Sequence, residues 1–264
     1  MPDIQSIYSW GGSTDEGYGR EVNEDAIKLV DYSNDVSLFI IADGMGSQPS
    51  GLQPAMIAIN EIESVIRRMF TDNRELLLQE PGVFLREAML TANRVLGAFV
   101  ISNEERHSGF GASVSCCLVH GGNAFCFAHC GNTRLYLLRE HPQDRSIQMR
   151  QLTRDHTKAI RLLDDGIITP EEYHTHPDRM QLASGLGNFM FPEIQVFDSR
   201  LKEKDILLMT TDGIHYAIRP DAIAEIVVSS ASCELATASL IQAGKMLKYV
   251  DNMSAIMIFL TPES

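Results

Sequence analysis

An α+β fold in a single domain spanning residues 1–264 is what the sequence predicts, on three grounds. Strand-type segments arrive in groups, each followed by a group of helical segments. The strand-helix-strand alternation of a parallel sheet is absent. No Pro/Ser-rich linker, repeat or low-complexity stretch divides the chain. With 44% hydrophobic and 22% charged residues, the composition is that of a globular protein with a sizeable core.

Taken in order, Ile4–Ser13, Ala26–Val30 and Ser37–Ala42 alternate or run solidly apolar and read as strands. Ala55, Ile59, Ile62, Ile66 and Met69 then recur at helical period along one face. Leu85, Ala88, Met89, Ala92, Leu96 and Phe99 do the same. A polar link at Thr71–Arg74, with Pro81 opening the second helix, predicts an antiparallel pair lying on a sheet. Ala112–Val119, Ala124–Cys130 and Arg134–Leu138 are strand candidates, the first two joined by a tight turn at Gly121-Gly122-Asn123. Thr157–Asp165 looks helical and stops at Gly166. Ile167–Asn188 is polar, contains Pro170 and Pro177, and reads as a surface excursion. Strands return at Ile194–Phe197 and Ile206–Thr210, helices at about Asp221–Val228 and Glu234–Leu247, and a last strand at Ser254–Leu260.

The 22 Lys+Arg against 35 Asp+Glu leave a formal charge of −13. That balance excludes a nucleic-acid partner, because no basic stretch is present to neutralise phosphates. The longest apolar runs fall short of the roughly 18–20 residues a membrane span needs. The opening MPDIQSIYSW shows no basic-then-apolar secretory signal, so a soluble, cytoplasmic protein is expected. Five cysteines (Cys116, Cys117, Cys126, Cys130 and Cys233) without disulfide-framework spacing agree with a reducing compartment. Cys126, His129 and Cys130 invite comparison with a zinc site. On a strand, however, His129 faces away from both cysteines, so buried structural thiols are expected.

Four aspartates stand at the lips of apolar runs. Asp25 follows Arg20-Glu21-Val22-Asn23-Glu24, and Asp43 ends Leu38–Ala42 and precedes Gly44-Met45-Gly46. Asp212 ends Ile206–Thr211 and precedes Gly213, and Asp251 opens the last strand. A glycine after the carboxylate lets backbone carbonyl approach a ligand. Any one Asp-Gly is first of all a turn. Four acids at strand ends suggest a common site of hard oxygen donors, suited to Mg²⁺ or Mn²⁺ and not to zinc or copper. Such sites commonly hold two ions about 3.5–4 Å apart and activate a water against phosphorus.

The ordered set Arg20…Asn23-Glu24-Asp25, Ala42-Asp43-Gly44-Met45-Gly46, Gly131-Asn132-Thr133-Arg134, Leu152-Thr153-Arg154-Asp155-His156-Thr157, Thr211-Asp212-Gly213 and Asp251-Asn252 resembles the metal-dependent serine/threonine protein phosphatases of the 2C type. The resemblance runs from about Trp10 to Phe259 and is strongest to the bacterial branch, whose flap is similar to Leu163–Gly187. It implies a four-layer α-β-β-α sandwich of two antiparallel sheets flanked by helix pairs, with a flap at about residues 157–190. It implies two Mn²⁺ or Mg²⁺ ions held by Asp25, Asp43, the Gly44 carbonyl, Asp212 and Asp251. Arg20 matches the residue that clamps the substrate phosphate, for which a guanidinium fork suits better than lysine. Glu24 matches one that orients metal-bound water. The reaction implied is hydrolysis of phosphoserine or phosphothreonine by in-line attack of a metal-bridging hydroxide, without a phosphoenzyme. The partners implied are a phosphorylated protein substrate and a cognate Ser/Thr kinase.

The chain departs from the family pattern at two places. Asn132 stands where the family usually has an Asp that ligates a third metal, and Tyr216 stands where a second acid is common. Both changes remove carboxylates, so a weak or absent third site is expected. His215 and Asp155 are the neighbours able to serve it instead. Met45 replaces a histidine found in some members and cannot act as a general acid. His156, His174 and His176 read as surface residues around the flap. Asp164-Asp165 and Glu171-Glu172 read as solvated helix ends. The alternative function, supported by Asn132 and Tyr216 alone, is a catalytically weak phosphatase-fold sensor or binding module for a phosphoprotein.

Overall fold

A computed structural model describes residues 8–46, 53–102, 109–173, 175–187 and 190–261. The chain opens with strands β1 (Tyr8–Asp15), β2 (Asp25–Ser33) and β3 (Val36–Met45), followed by helices α1 (Pro54–Gln79) and α2 (Pro81–Ser102). Strands β4 (Gly111–His120), β5 (Ala124–Cys130), β6 (Arg134–Glu140) and β7 (Ile147–Gln151) come next. The flap holds α3 (Lys158–Asp164), α4 (Pro170–Tyr173) and a helical turn at Pro177–Met180. The chain continues through β8 (Gln195–Arg200), β9 (Ile206–Thr210), the one-turn α5 (Asp212–His215), α6 (Pro220–Ser229), α7 (Cys233–Met246) and β10 (Met253–Leu260).

Two five-stranded antiparallel sheets result, ordered β1-β10-β9-β6-β7 and β2-β3-β4-β5-β8. Side-chain alternation along each strand builds the layers. On β3, Leu38, Ile40 and Ala42 face α1 and α2, while Phe39 and Ile41 face the other sheet. Three apolar cores follow: α1–α2 on the second sheet, sheet on sheet, and α6–α7 on the first sheet. This is the expected four-layer α-β-β-α sandwich. The same alternation puts Cys126 and Cys130 in the helix-side core, while His129 shares the opposite face with Phe125 and Phe127. All five cysteines are buried free thiols. No helix among the described residues is long and apolar enough to cross a membrane.

Several local expectations need correction. Thr71–Arg74 is not the link between the helices: α1 kinks at Asn73 (φ −155°, ψ 71°) and continues to Gln79. Asn73 Oδ1 accepts from Leu76 N at 3.1 Å, so the polar signal marks a break that recaps itself. The true link is Glu80, directly before Pro81. The excursion from Ile167 is not surface throughout, because Ser184 and Leu186 are buried and Leu186 bridges Ala112. β7 was not anticipated: its residues are largely exposed and polar, and it exists by pairing with β6 at the sheet edge. Residues 4–7 of the first expected strand, Asn188 and His174 lie outside the described residues.

Candidate active site

The strand ends converge on one side of the sandwich. Asp25 opens β2 directly opposite Asp43 near the end of β3, giving one wall from the second sheet. Asp212 starts α5 just after β9, and Asp251 precedes β10, giving the other wall from the first sheet. Asp43, Asp212, Asp251, Arg20, Glu24, Gly44, Met45, Asn132 and Asn252 line one cleft of about 320 Å³, and Met180 and Leu182 of the flap line it with them. Asp25 does not line the cleft surface and is only 6% exposed. The structure therefore brings Asp43, Gly44, Asp212, Asp251, Arg20 and Glu24 of the expected set to one cleft, with Asp25 buried beside Asp43 in the β2–β3 pair.

Hydrogen bonds explain how the walls hold together. Thr211 Oγ1 and Ser254 Oγ both donate to Asp25 Oδ2 at 2.8 Å, stitching the first sheet to a carboxylate of the second. Asn252 accepts from Glu24 N at 2.9 Å and donates to Val22 O and Glu16 O at 2.8 and 2.9 Å. It thereby pins the loop that carries Arg20 and Glu24. Gly44 N donates to Glu24 O at 3.2 Å, and a Cβ on Gly44 would sit 2.7 Å from that same oxygen. At Gly213 a Cβ would overlap the Asn252 carbonyl oxygen. Both glycines are thus demanded by backbone packing at the cleft, before any ligand is considered.

The electrostatics follow from crowding acids into a half-closed space. Burial raises the Asp25 carboxyl, and repulsion from Asp212 and Asp251 adds to it against the hydrogen bonds from Ser254 and Thr211. Burial likewise holds Asp43 well above the usual range, helped by Asp212, Asp25 and Asp251. Asp212 is raised by burial and by Asp251. Asp251 is raised by burial, opposed by Arg20, whose Nη2 lies 2.8 Å from Asp251 Oδ1. Among the described residues no three Asp, Glu, His or Cys side chains gather round a single point. The acids instead face one another from two sheets, so the charge deficit lies between the walls. Oxygen donors of this kind fit hard divalent cations.

Around Asn132 the structure is specific. Asn132 Nδ2 donates to Asp212 Oδ2 at 3.0 Å, while Asn132 N and Thr133 N both donate to Ser113 Oγ at 2.8 Å. Tyr216 donates its hydroxyl to Arg179 O at 3.1 Å, and its ring lies against the guanidiniums of Arg134 and Arg179. Asp155 is no spare ligand: it takes Arg134 Nε at 2.9 Å, Arg134 Nη2 at 2.6 Å and Gln151 Nε2 at 2.9 Å. His215 Nδ1 pairs with Thr210 Oγ1 at 2.9 Å, whereas its buried Nε2 has no partner among the described residues. Burial drives the His215 imidazole well below its ordinary pKa, so it is neutral.

The flap histidines divide. His156 is not a surface residue: it is 6% exposed and accepts from Gly131 N at 3.2 Å. His176 is half-buried and caps the turn at Pro177–Met180, accepting from Asp178 N at 3.1 Å. The acidic pairs are exposed as expected. Glu172 also closes a capping box with Thr169, the backbone N of each bonding the other's side chain at 2.8 and 3.2 Å. Thr211, Ser254 and the anchoring role of Asn252 escaped sequence reasoning. Thr211 stands beside Asp212, but a hydroxyl in a buried strand such as Ser254 carries no local signal.

Comparison with known proteins agrees with this fold. The curated serine/threonine protein phosphatase PstP of Mycobacterium tuberculosis is 27% identical over 229 residues, which cover 85% of this chain. The chain spans 40% of the length of that relative. The crystal structure of the serine/threonine phosphatase Stp1 from Staphylococcus aureus superposes with a TM-score of 0.84 at 25% identity, covering 98% of this chain and 97% of the other. The catalytic domain of PstP, solved in complex with two manganese ions, has the same fold at a TM-score of 0.75 and 23% identity, covering 97% and 99%. Fold and comparisons together define a protein phosphatase domain. The chain belongs to the protein phosphatase 2C family, whose model matches residues 18–238.

Proposed function

We propose that the chain is a metal-dependent protein serine/threonine phosphatase, and that a phosphorylated protein is its substrate. The observation that carries the reading is the meeting of Asp43, Asp212 and Asp251 from two sheets at one cleft, with Asp25 buried beside Asp43 and Arg20 at the rim. Those four carboxylates and the Gly44 carbonyl would hold two Mn²⁺ or Mg²⁺ ions, and the two manganese ions bound by PstP support that count. When bound, the ions supply the charge and Lewis acidity that activate water for in-line attack on phosphorus. Arg20 uses one nitrogen on Asp251 and, 42% exposed at the rim, offers the rest of its planar fork to phosphate oxygens. Glu24, held by Asn252 through its backbone, lines the cleft and would orient the attacking water. Asn252, Thr211 and Ser254 keep the walls at fixed separation, so catalysis is positioning and electrostatics.

Asn132 bears on the alternative of a weak enzyme. Its amide, already given to Asp212, leaves one neutral oxygen where a third ion would need charge. A weak or absent third site is the reading this supports. A Ser/Thr kinase that makes the substrate, and a cytoplasmic location in keeping with five reduced, buried thiols, complete the proposal. The test is hydrolysis of an aryl phosphate and a phosphothreonine peptide with and without Mn²⁺. Asp212→Asn should lose several kcal/mol of transition-state stabilisation, about 10²-fold in rate or more. Equal rates for wild type and Asp212→Asn in saturating Mn²⁺ would end the enzyme reading.

A further inference from the structure

The aromatic ring at position 216 joins the flap to the body of the domain. On the body side, Arg134 leaves the start of β6 and is clamped by Asp155 through both carboxylate oxygens, with Nε to Oδ1 at 2.9 Å and Nη2 to Oδ2 at 2.6 Å. The guanidinium of Arg134 lies 5.4 Å from the centre of the Tyr216 ring. On the flap side, the guanidinium of Arg179 lies 5.1 Å from the same centre. The phenol also donates to the Arg179 carbonyl at 3.1 Å. Tyr173 of α4 reaches Asp155 Oδ2 at 3.5 Å, so a second flap contact ends on the same ion pair.

The position of Arg179 gives the arrangement its consequence. The base of the flap is tied by the Thr157–Leu182 bridge and by Lys158 N donating to Gln181 O at 2.8 Å. Arg179 belongs to the turn just outside that base, and the next residue, Met180, lines the catalytic cleft together with Leu182. A polarised aromatic face attracts two cations at once, which an aliphatic side chain of similar size cannot do. A carboxylate at this position would attract both arginines too, but without a flat face to fix the turn's orientation.

We propose that Tyr216 is a positioning residue that latches the Pro177–Met180 turn to the Arg134–Asp155 pair and so holds Met180 in the lining of the cleft, where the residues flanking a phosphorylated side chain pass. The selectivity half of this statement rests on the phosphatase reading; the latch itself does not. A small aryl phosphate has no flanking residues and is indifferent to the latch. A phosphopeptide is not.

The experiment uses the full chain and the variants Tyr216→Leu, Tyr216→Phe and Arg179→Gln. Amide hydrogen exchange is followed over Arg179–Leu182, and steady-state kinetics are measured with a phosphothreonine peptide and with 4-nitrophenyl phosphate. Tyr216→Leu should speed exchange in the turn about tenfold and raise the peptide KM by a similar factor. For 4-nitrophenyl phosphate, kcat and KM should stay within about twofold. Tyr216→Phe, which keeps the ring and loses only the hydroxyl, should recover most of the difference. If Tyr216→Leu does not fold, Arg179→Gln reads the same contact from the flap with the ring in place. Wild-type exchange and wild-type peptide KM in both Tyr216→Leu and Arg179→Gln overturn the latch. If wild type hydrolyses neither substrate, the phosphatase reading fails, and exchange alone then upholds or overturns the latch.

Discussion

Removing the Asn252 side chain should loosen the segment that presents Arg20 and Glu24. Asn252 is 5% exposed, and its amide makes three bonds to the main chain of a loop more than 200 residues away in sequence, at 2.8–2.9 Å. A net contribution of about 1 kcal/mol for each bond puts the cost of Asn252→Ala at about 3 kcal/mol. For a chain of this size that is a fall in Tm of roughly 6–12 °C. Asn252→Asp keeps the acceptor facing Glu24 N but replaces Nδ2, the donor of both other bonds, by an oxygen facing the Val22 and Glu16 carbonyls, so it should cost at least as much. Because the loop carries Arg20, proposed above to hold the phosphate, the KM for a phosphopeptide should rise more than kcat falls in the alanine variant. Thermal melts and urea titrations give the stability, and peptide kinetics give the rest. An Asn252→Ala protein that melts within about 2 °C of wild type would refute the assignment of Asn252 as the anchor.

Two further outcomes test the buried charges. Asp155→Ala strands the largely buried Arg134 guanidinium and should cost about 3–5 kcal/mol by chemical denaturation, far more than an exposed pair such as Arg219–Asp221. In acid the buried histidines oppose folding, because burial pushes His129 down to about 3 and His215 well below its ordinary value, whereas the raised Asp25, Asp43 and Asp212 carboxyls act in the opposite sense. At His129 the unfolded chain binds more protons below pH 6.5, so this residue's contribution to stability falls as pH drops through that window, by about 2 kcal/mol at pH 5. His129→Gln should therefore gain about 2 kcal/mol relative to wild type between pH 7 and pH 5; an unchanged difference between the two proteins contradicts the assignment.

What the sequence revealed depended on whether the cause of a feature was local. Asp43 and Asp212 were legible because a solid apolar run ends at a carboxylate followed by glycine, and both walls of the cleft follow from that pattern. The helices facing the second sheet were legible because Ala55, Ile59, Ile62 and Ile66 occupy one face. The anchors were not, since Thr211 and Ser254 meet Asp25 across 186 and 229 residues of chain. His156 misled for a similar reason: a histidine between polar residues looks exposed until Gly131 closes over it. Tyr216 was read as the loss of an acid, whereas its place between two arginines required the flap to be folded back.

Asn132 shows how a lost carboxylate leaves the site assembled. A second acid at this position would face Asp212 Oδ2 across the 3.0 Å now occupied by an N–H···O bond, and only a cation would make that tolerable. The amide supplies the positive end of a dipole instead, and its hydrogen bond opposes the rise that burial and Asp251 impose on Asp212. On the proposal of a weak or absent third site, this bond is what holds the corner. Asn132→Asp should reverse the dependence: in metal-free buffer the variant loses a charge-assisted bond of about 1.5–3 kcal/mol and gains a repulsion. In Mn²⁺ the same variant should recover more stability than wild type does, because an added carboxylate tightens binding and stabilisation grows as RT ln(1 + [L]/Kd). Melting curves of both proteins with and without Mn²⁺ measure the two effects together. A variant that melts with wild type in metal-free buffer would show that the Asn132–Asp212 bond does not hold this corner.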